Sequence, residues 1–573
     1  MRRALAGAAA AVTFGAALVG SPVGTAGATS HPANGAAATE YVVLYAEGAS
    51  PAAARAAIAA AGGSLMKENV KVGYALVRST DTSFRDRVAT SSALEGAARN
   101  RPVGYVPKPG RPSREAVERL TAERALAGTK AAPTAQQAAP AQGAEPLADR
   151  QWDMRQIGAT ATGSYRVQPG RPGVMVGIID TGLDAQHPDI RPNFNRDLSR
   201  NFTTDIPSID GPCEFRSCHD PVGWDDNGHG THLGSTVAGA VNGIGIAGVA
   251  PNVTLVNLRA GQDSGYFFLD PTLDAYTYAG DIGVDVINMS YFTDPWLFNC
   301  LDNPKDSPAE QREQRVIRRA TQRAIDYAIA RGVTPVAAEG NEATDLGHPK
   351  IDETSPDFPP GSEKTRRIDN SCITVPTETR GVIAVSATGI STRKAYYSNY
   401  GTEQTDVAAP GGDYYDSPDN TGDPRNLVLA AYPERLGRLS GEIDKRGNST
   451  TPFVVKDCLQ RNTHRVCAYY QYLQGTSMAA PHAAGVAALI VSQFGHQDAV
   501  HGGLTMAVDQ VQHVLYQSAV EHACPQPRLF HYKRIRDDGS IGRETAYCAG
   551  PTSDNGFYGH GIVNAYAAVK FGS

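Results

Sequence analysis

From about residue 150 onward the chain alternates short apolar runs with longer mixed segments. Five runs stand out: "GVMVGIID" (173–180), "VTLVNLRA" (253–260), "VDVINMS" (284–290), "VTPVAAEGN" (333–341) and "VIAVSATG" (382–389). They are rich in β-branched residues and lack polar alternation. A strand with one wet face alternates, whereas a strand covered on both faces does not. Between several runs lie stretches with helical spacing, such as "PTLDAYTYAGDIG" (271–283) and "QRVIRRATQRAIDYAIARG" (314–332). Strand–helix alternation predicts an α/β domain, a parallel sheet flanked by helices. A further apolar stretch, "GTSMAAPHAAGVAALI" from Gly475, predicts a buried helix.

The pattern before residue 150 is different. "EYVVLYAEG" (40–48) and "VGYALVRS" (72–79) read as strands, and "SPAAARAAIAAAGG" (50–63) as a helix ended by glycines. This predicts a small α+β unit within 29–110. Residues 111–148 begin as a charged helical segment and become an Ala/Pro/Gln-rich linker, so the main domain is expected over 149–573. Segments 343–378 and 412–473 are rich in Pro, Asp, Gly and Asn and break the rhythm, as surface insertions do. The first 28 residues carry Arg2 and Arg3, a weakly apolar stretch and Ala26-Gly27-Ala28, the pattern of a cleaved secretory signal. The expected location is therefore extracellular. No later stretch reads as a membrane anchor.

Composition sharpens this in two ways. All eight cysteines lie beyond residue 200, an even number that suits disulfides in an oxidising compartment. Close spacing favours Cys213–Cys218 and Cys458–Cys467; the other four pair as Cys300–Cys372 and Cys524–Cys548 by guess alone. The charge divides unevenly, with 16 basic against 10 acidic residues up to Ala148, and 37 against 49 beyond it. An acidic secreted domain is a poor partner for nucleic acid.

Ligands of parallel sheets sit at the carboxyl ends of the strands, so chemistry is sought there. Asp180 ends the first run. His229 and His232 stand in the Gly-rich entry to a helix, "DDNGHGTHLGSTVAGAVNG", and Ser477 opens the late apolar helix. Each has an ordinary structural reading: a turn carboxylate, a histidine pair for a metal, a helix cap. Together they are what acyl transfer by serine requires. A hydroxyl needs a base to take its proton, and the base needs a carboxylate to fix its tautomer.

The motifs "DTGLDAQHPDI", "GHGTHLGSTVAG" and "GTSMAAPHAAGVAAL", in that order, resemble those of the subtilisin-like serine proteases, the subtilases. "GVAP" (248–251), "INMS" (287–290) and "GHGIVNAYAAV" (559–569) extend the resemblance over most of 150–573. It implies a subtilisin-like fold and a serine endopeptidase in which Asp180, His229 and Ser477 form the catalytic triad. Asn341 in "AAEGN" would supply the oxyanion hole with the Ser477 N–H. Ser290, Tyr291, Phe292, Gly265, Tyr266, Ala338 and Gly340 would line the substrate cleft, with Phe292 narrowing a pocket where the family carries glycine. Glu339 is expected to point to solvent, or else to favour a basic residue at the cut. The resemblance also implies structural Ca²⁺ held by Asp189, Asn242 and the carbonyls of Ala240, Ile244 and Ile246. The 29–110 unit resembles the family's inhibitory pro-domain, removed by autoprocessing. The expected partners are protein or peptide substrates and this pro-domain, around a monomeric enzyme. The rival reading is a protease fold with a blocked cleft that binds protein without cutting it; a metallohydrolase built on His229 and His232 is a third.

Overall fold

A computed structural model describes residues 38–102, 145–461 and 464–572. The proposed signal segment and most of the linker lie outside the described residues. Near the N-terminus, β1 (Thr39–Tyr45), α1 (Pro51–Ala60), β2 (Ser64–Asn69), β3 (Tyr74–Ser79), α2 (Phe84–Val88) and β4 (Leu94–Pro102) form the small α+β unit. Its four-stranded sheet has the order β2-β3-β1-β4. Ser50 caps α1 by accepting the Ala53 N–H, and Pro51 sits at the first turn, where no N–H partner is required.

The main domain is built on a seven-stranded sheet. Its strands are β5 (Met175–Ile179), β6 (Arg200–Asn201), β7 (Thr254–Arg259), β8 (Val286–Met289), β9 (Thr334–Ala338), β10 (Ile383–Thr388) and β11 (Val407–Pro410). They lie in the order β11-β10-β9-β8-β5-β7-β6, all parallel. All five expected strands are present. From β5 the chain first builds toward β6 and then returns past β5 to β8. The sheet therefore reverses direction beside β5 and β8, where crevices open at carboxyl ends.

Helices cover both faces. α3 (His229–Ala238) and α7 (Thr476–Phe494) pack with Val176, Ile178, Val336 and Val385 on one side. α4 (Leu269–Ile282) and α5 (Pro308–Ile329) pack with Ile179, Val256, Ile287 and Ala337 on the other. Of the described helices, α7 alone is long and apolar enough to cross a membrane, and the protein core buries 89% of its apolar window. α5 begins with a full capping box, Ser307 and Glu310 satisfying each other's backbone N–H groups.

The 412–473 segment differs from the expected surface insertion. It contains β12 (Val428–Ala431), α6 (Glu434–Leu439), β13 (Val454–Arg461) and β14 (His464–Leu473), an antiparallel sheet of order β12-β14-β13. Tyr470, Tyr472 and Phe453 are buried in its own apolar cluster. The many Pro, Asp and Gly residues shape its turns, while alternate strand residues supply the core. The bonds Cys213–Cys218, Cys300–Cys372, Cys458–Cys467 and Cys524–Cys548 are all present.

The small unit docks on α4 and α5. Val42, Leu44 and Tyr74 share a cluster with Val316, Ile317 and Ala320. Lys67 meets Asp270 at 2.8 Å, and Lys71 meets Asp281 at 2.7 Å. Asn100 accepts the Asp270 N–H at 3.0 Å, capping the first turn of α4 from outside the domain. Glu313, fully buried, takes the Arg99 N–H at 2.8 Å and its Nε at 3.1 Å.

Candidate active site

The register of the central strands brings the site together. Ile179 of β5 lies beside Met289 of β8, so Asp180 and Ser290 leave the sheet as neighbours. Asp180 is fully buried, and its Oδ1 faces His229 Nδ1 at 2.8 Å. The Thr181 N–H donates to the same oxygen. His229 is the first residue of α3, after Gly228, whose φ of 94° suits the sharp entry. Asp225, which sequence motifs did not single out, organises this entry. It accepts the N–H groups of Asn227, Gly228 and Thr231 and the hydroxyls of Thr181 and Thr231.

Ser477 is the second residue of α7 and is 6% exposed. Its Oγ lies 3.5 Å from the Ser290 carbonyl oxygen. Pro481 is the sixth residue of this helix. It cannot donate to the carbonyl four residues back, which is that of Ser477. Ser290 Oγ donates to that carbonyl instead, at 3.0 Å, and Asn288 Nδ2 donates to Ser290 Oγ. The proline thus frees an acceptor that ties the serine's helix to the end of β8.

Asn341 follows β9. Its Oδ1 accepts the Thr476 N–H at 2.9 Å and the Thr476 hydroxyl at 3.0 Å. The Thr476 hydroxyl oxygen in turn accepts the Gly340 N–H. This fixes the amide plane from the carbonyl side. Asn399, a residue the motifs did not reveal, clamps the turn. Its Nδ2 donates to the Glu339 carbonyl and its Oδ1 accepts the N–H groups of Glu342 and Thr344.

Ser290, Tyr291, Phe292, Ala338 and Gly340 line one small cavity with Ser477, joined by Leu297, Glu339, Thr374 and Thr377. Its free volume is about 10 Å³, little more than room for one water. Tyr291 stacks on Phe267 with ring centroids 4.1 Å apart, and Phe292 joins the apolar cluster around the Cys300–Cys372 bridge. Gly265 and Tyr266 do not line this cavity. Tyr266 instead packs against Phe358, at 5.3 Å, and donates to the Asp357 carbonyl.

Glu339 is not exposed. It is 1% accessible, accepts the Thr405 hydroxyl at 2.7 Å, and burial raises its carboxyl well above the ordinary range. The strand that places Ala338 and Gly340 beside the cleft carries Glu339 into the interior. That burial overturns the expectation that Glu339 points to solvent.

His232 is also structural. Its Nε2 lies 3.2 and 3.1 Å from the carbonyl oxygens of Val428 and Gln471, so it anchors α3 to β12 and β14 as a neutral N–H donor. Burial lowers its pKa to about 3. The unfolded chain takes this proton near pH 6.5 and the folded chain does not, so this contribution to stability is complete above pH 6.5 and lost on acidification. Buried Asp285 and Glu378, pushed up to about 8 and about 7 by burial, act with the opposite sign. The test is therefore differential. The stability advantage of the parent over His232→Gln should shrink by about 2 kcal/mol between pH 7 and pH 5 in denaturant titrations. An unchanged difference would refute the neutral, buried assignment.

The residues expected to hold calcium are adjacent. Asp189 Oδ1 accepts Asn242 Nδ2 at 3.0 Å, and its Oδ2 accepts the Tyr470 hydroxyl at 2.8 Å. Among the described residues, the buried carbonyls of Ala240, Ile244 and Ile246 accept no hydrogen bond. Such carbonyls beside a carboxylate suit a hard cation. Glu145 was not anticipated. It is 3% exposed and accepts the N–H groups of Asn242 and Gly243. The ordered domain therefore includes Glu145, four residues before the expected start at Asp149.

A buried Asp–His pair, a serine at the opening of a core helix and a clamped asparagine turn define the class of serine-dependent acyl-transfer enzymes. Residues 171–561 match the Subtilase family model. The chain belongs to the subtilase family and is a serine-type endopeptidase. It is 27% identical to Subtilisin DY of Bacillus licheniformis over 397 residues, 69% of this chain and 91% of that protein. It is 26% identical to thermitase of Thermoactinomyces vulgaris over 340 residues, 59% of this chain and 82% of thermitase. Among solved structures, the epidermin leader peptide processing serine protease of Staphylococcus aureus superposes with a TM-score of 0.60 at 18% identity, covering 93% of this chain and 98% of that one. The last likeness concerns the fold.

Proposed function

We propose that this subtilase is made as a secreted precursor and cleaves proteins through an acyl-enzyme. Ser477 Oγ attacks the peptide carbonyl, His229 takes its proton and returns it to the leaving amine, and Asp180 holds the imidazole in the required tautomer. The Asn341 amide and the Ser477 N–H donate to the oxyanion. The observation that carries the reading is the 2.8 Å Asp180–His229 contact at the carboxyl ends of the central strands, where Ser290 meets Ser477. The small cavity beside Ser477 favours a small residue, such as alanine or serine, immediately before the cut. Ca²⁺ held by Asp189, Asn242 and the carbonyls of Ala240, Ile244 and Ile246 would pin the loop after α3. Four disulfides suit an extracellular enzyme.

The test is labelling of the secreted protein with a fluorophosphonate, peptide mapping of the adduct, and mapping of casein cut sites. An adduct on Ser477 and small residues before the cuts are expected. Casein cleavage without labelling at Ser477 overturns the mechanism; bulky aromatic residues before the cuts overturn the pocket assignment.

The α+β unit acts as the inhibitor, and its grip rests partly on Glu313. Glu313 is buried but its partner Arg99 is partly exposed, so removing the carboxylate costs the Arg99 N–H and guanidinium bonds, about 1–3 kcal/mol. In the uncleaved Ser477→Ala precursor, Glu313→Ala should lower amide exchange protection across 39–102 by about tenfold. Unchanged protection would show that the apolar seam with α4 and α5 alone holds the unit.

A further inference from the structure

The turn that carries Asn341 is held from two directions. On the side of the serine helix, Thr476 engages Asn341 Oδ1 and the Gly340 N–H. On the other side stands Asn399, fully buried in the connection between β10 and β11.

The bonds of Asn399 bracket position 341. Its backbone N–H donates to the Gly340 carbonyl at 2.9 Å. Its Nδ2 donates to the Glu339 carbonyl at 3.1 Å and to Glu342 Oε2 at 2.7 Å. Its Oδ1 accepts the N–H groups of Glu342 at 3.1 Å and Thr344 at 2.9 Å. An asparagine side chain has two N–H donors and two acceptor lone pairs. All four are spent on this one turn, on residues that lie before and after Asn341.

Asn399 has a rigid mount of its own. Lys394, fully buried, donates to the carbonyls of Ala395 at 2.9 Å and Ser398 at 2.6 Å. Its Nζ lies 5.0 Å from the centroid of the Tyr400 ring and 5.4 Å from that of Phe557. The Ser398 hydroxyl accepts the Ala387 N–H of β10 at 3.0 Å. The Ala343 N–H donates to the Tyr397 carbonyl, and the Tyr400 N–H to the Thr344 carbonyl. Segment 397–400 is therefore tied to the sheet and runs beside the turn as a short ladder.

We propose that Asn399 is a positioning residue for the reaction, acting through Asn341. It holds the turn at the angle at which the Asn341 amide meets the developing oxyanion, and so it rests on the role proposed above for Asn341. A preorganised donor serves the transition state without moving, and a misplacement of about 1 Å costs on the order of 100-fold. Truncating Asn399 takes the partner from the Glu339 carbonyl and from the N–H groups of Glu342 and Thr344, so the turn shifts to recover bonds. Thr476 still holds Asn341 Oδ1, so the turn shifts and does not unravel.

The test is a double-mutant cycle on the active enzyme. The kcat is counted per serine titrated with a fluorophosphonate, so misfolded protein does not enter it. Asn399→Ala is expected to lower kcat about 10- to 100-fold with KM within about threefold. In an Asn341→Leu background the same change should lower kcat less than about threefold, because the donor it positions is already gone. An unchanged kcat in the parent, equal losses in both backgrounds, or a raised KM with kcat preserved overturns the proposal. An intact kcat in Asn341→Leu alone overturns the oxyanion reading and this one with it. If Asn399→Ala yields no titratable enzyme, Asn399→Asp runs the same cycle. It has nearly the same shape, keeps the acceptor for Glu342 and Thr344, and loses both donated bonds. The same dependence on Asn341 is expected, and the same outcomes overturn it.

Discussion

Ser477→Ala is expected to lower casein cleavage by about six orders of magnitude and to leave the precursor uncut, with the fold intact. The size is the loss that removing the triad serine or histidine costs in subtilisin, a relative of this chain, and is taken over from it. The structural half follows from the contacts here. The bond that ties α7 to β8 runs from Ser290 Oγ to the Ser477 carbonyl, which alanine keeps. Asn341 and Gly340 are held by Thr476, which is untouched. Alanine also has the highest intrinsic helix propensity. The thermal midpoint should therefore stay within about a degree or two of the parent. Activity surviving the change above that level would remove Ser477 from the mechanism. A blocked-cleft binding protein would show no casein cleavage in the parent, which separates that rival in the same experiment.

The sheet and the candidate site were legible because their signals are local. A run such as "VDVINMS" has no polar alternation because both of its faces are covered, and no partner strand need be known to see it. Asp180, His229 and Ser477 each sit where an element begins or ends, so chain order and motif were enough to group them. The residues that escaped are those whose role depends on a distant partner. Glu339 is one residue from two cleft-lining positions, yet its partner is Thr405, 66 residues away. Strand alternation could have placed it opposite Ala338, but only tertiary packing decides whether that opposite side is wet. Tyr470 reaches Asp189 across 281 residues from a segment whose turn-rich composition disguised a buried sheet. Glu145 sits in what composition marks as linker, and its partners are backbone N–H groups of a glycine loop. Pro481 shows the same dependence on a distant partner. Its effect depends on which carbonyl lies four residues earlier, and that carbonyl's new donor, Ser290, is on another strand.

Asn341→Leu should cut kcat by about 10²–10³ with little change in KM, a range established for the corresponding donor in subtilisin and borrowed from it. The geometry here explains why the loss should fall on kcat. Asn341 Oδ1 is occupied by Thr476, which fixes the amide plane; on the proposed mechanism its NH₂ serves charge that exists only in the transition state. A donor aimed at developing charge contributes little to ground-state binding, so substrate affinity persists when it is lost. Leucine has nearly the same shape but offers no acceptor to Thr476. The Thr476 hydroxyl keeps its bond from Gly340, so the turn should hold. Asn341→Asp is the second arm. It retains the acceptor for Thr476 and places a negative charge where the oxyanion forms, so it should be at least as inactive as leucine at neutral pH. A rise in KM with kcat preserved in either variant would assign Asn341 to substrate binding. A fall in kcat with a thermal midpoint lowered by ten degrees or more would assign the effect to a collapsed turn instead.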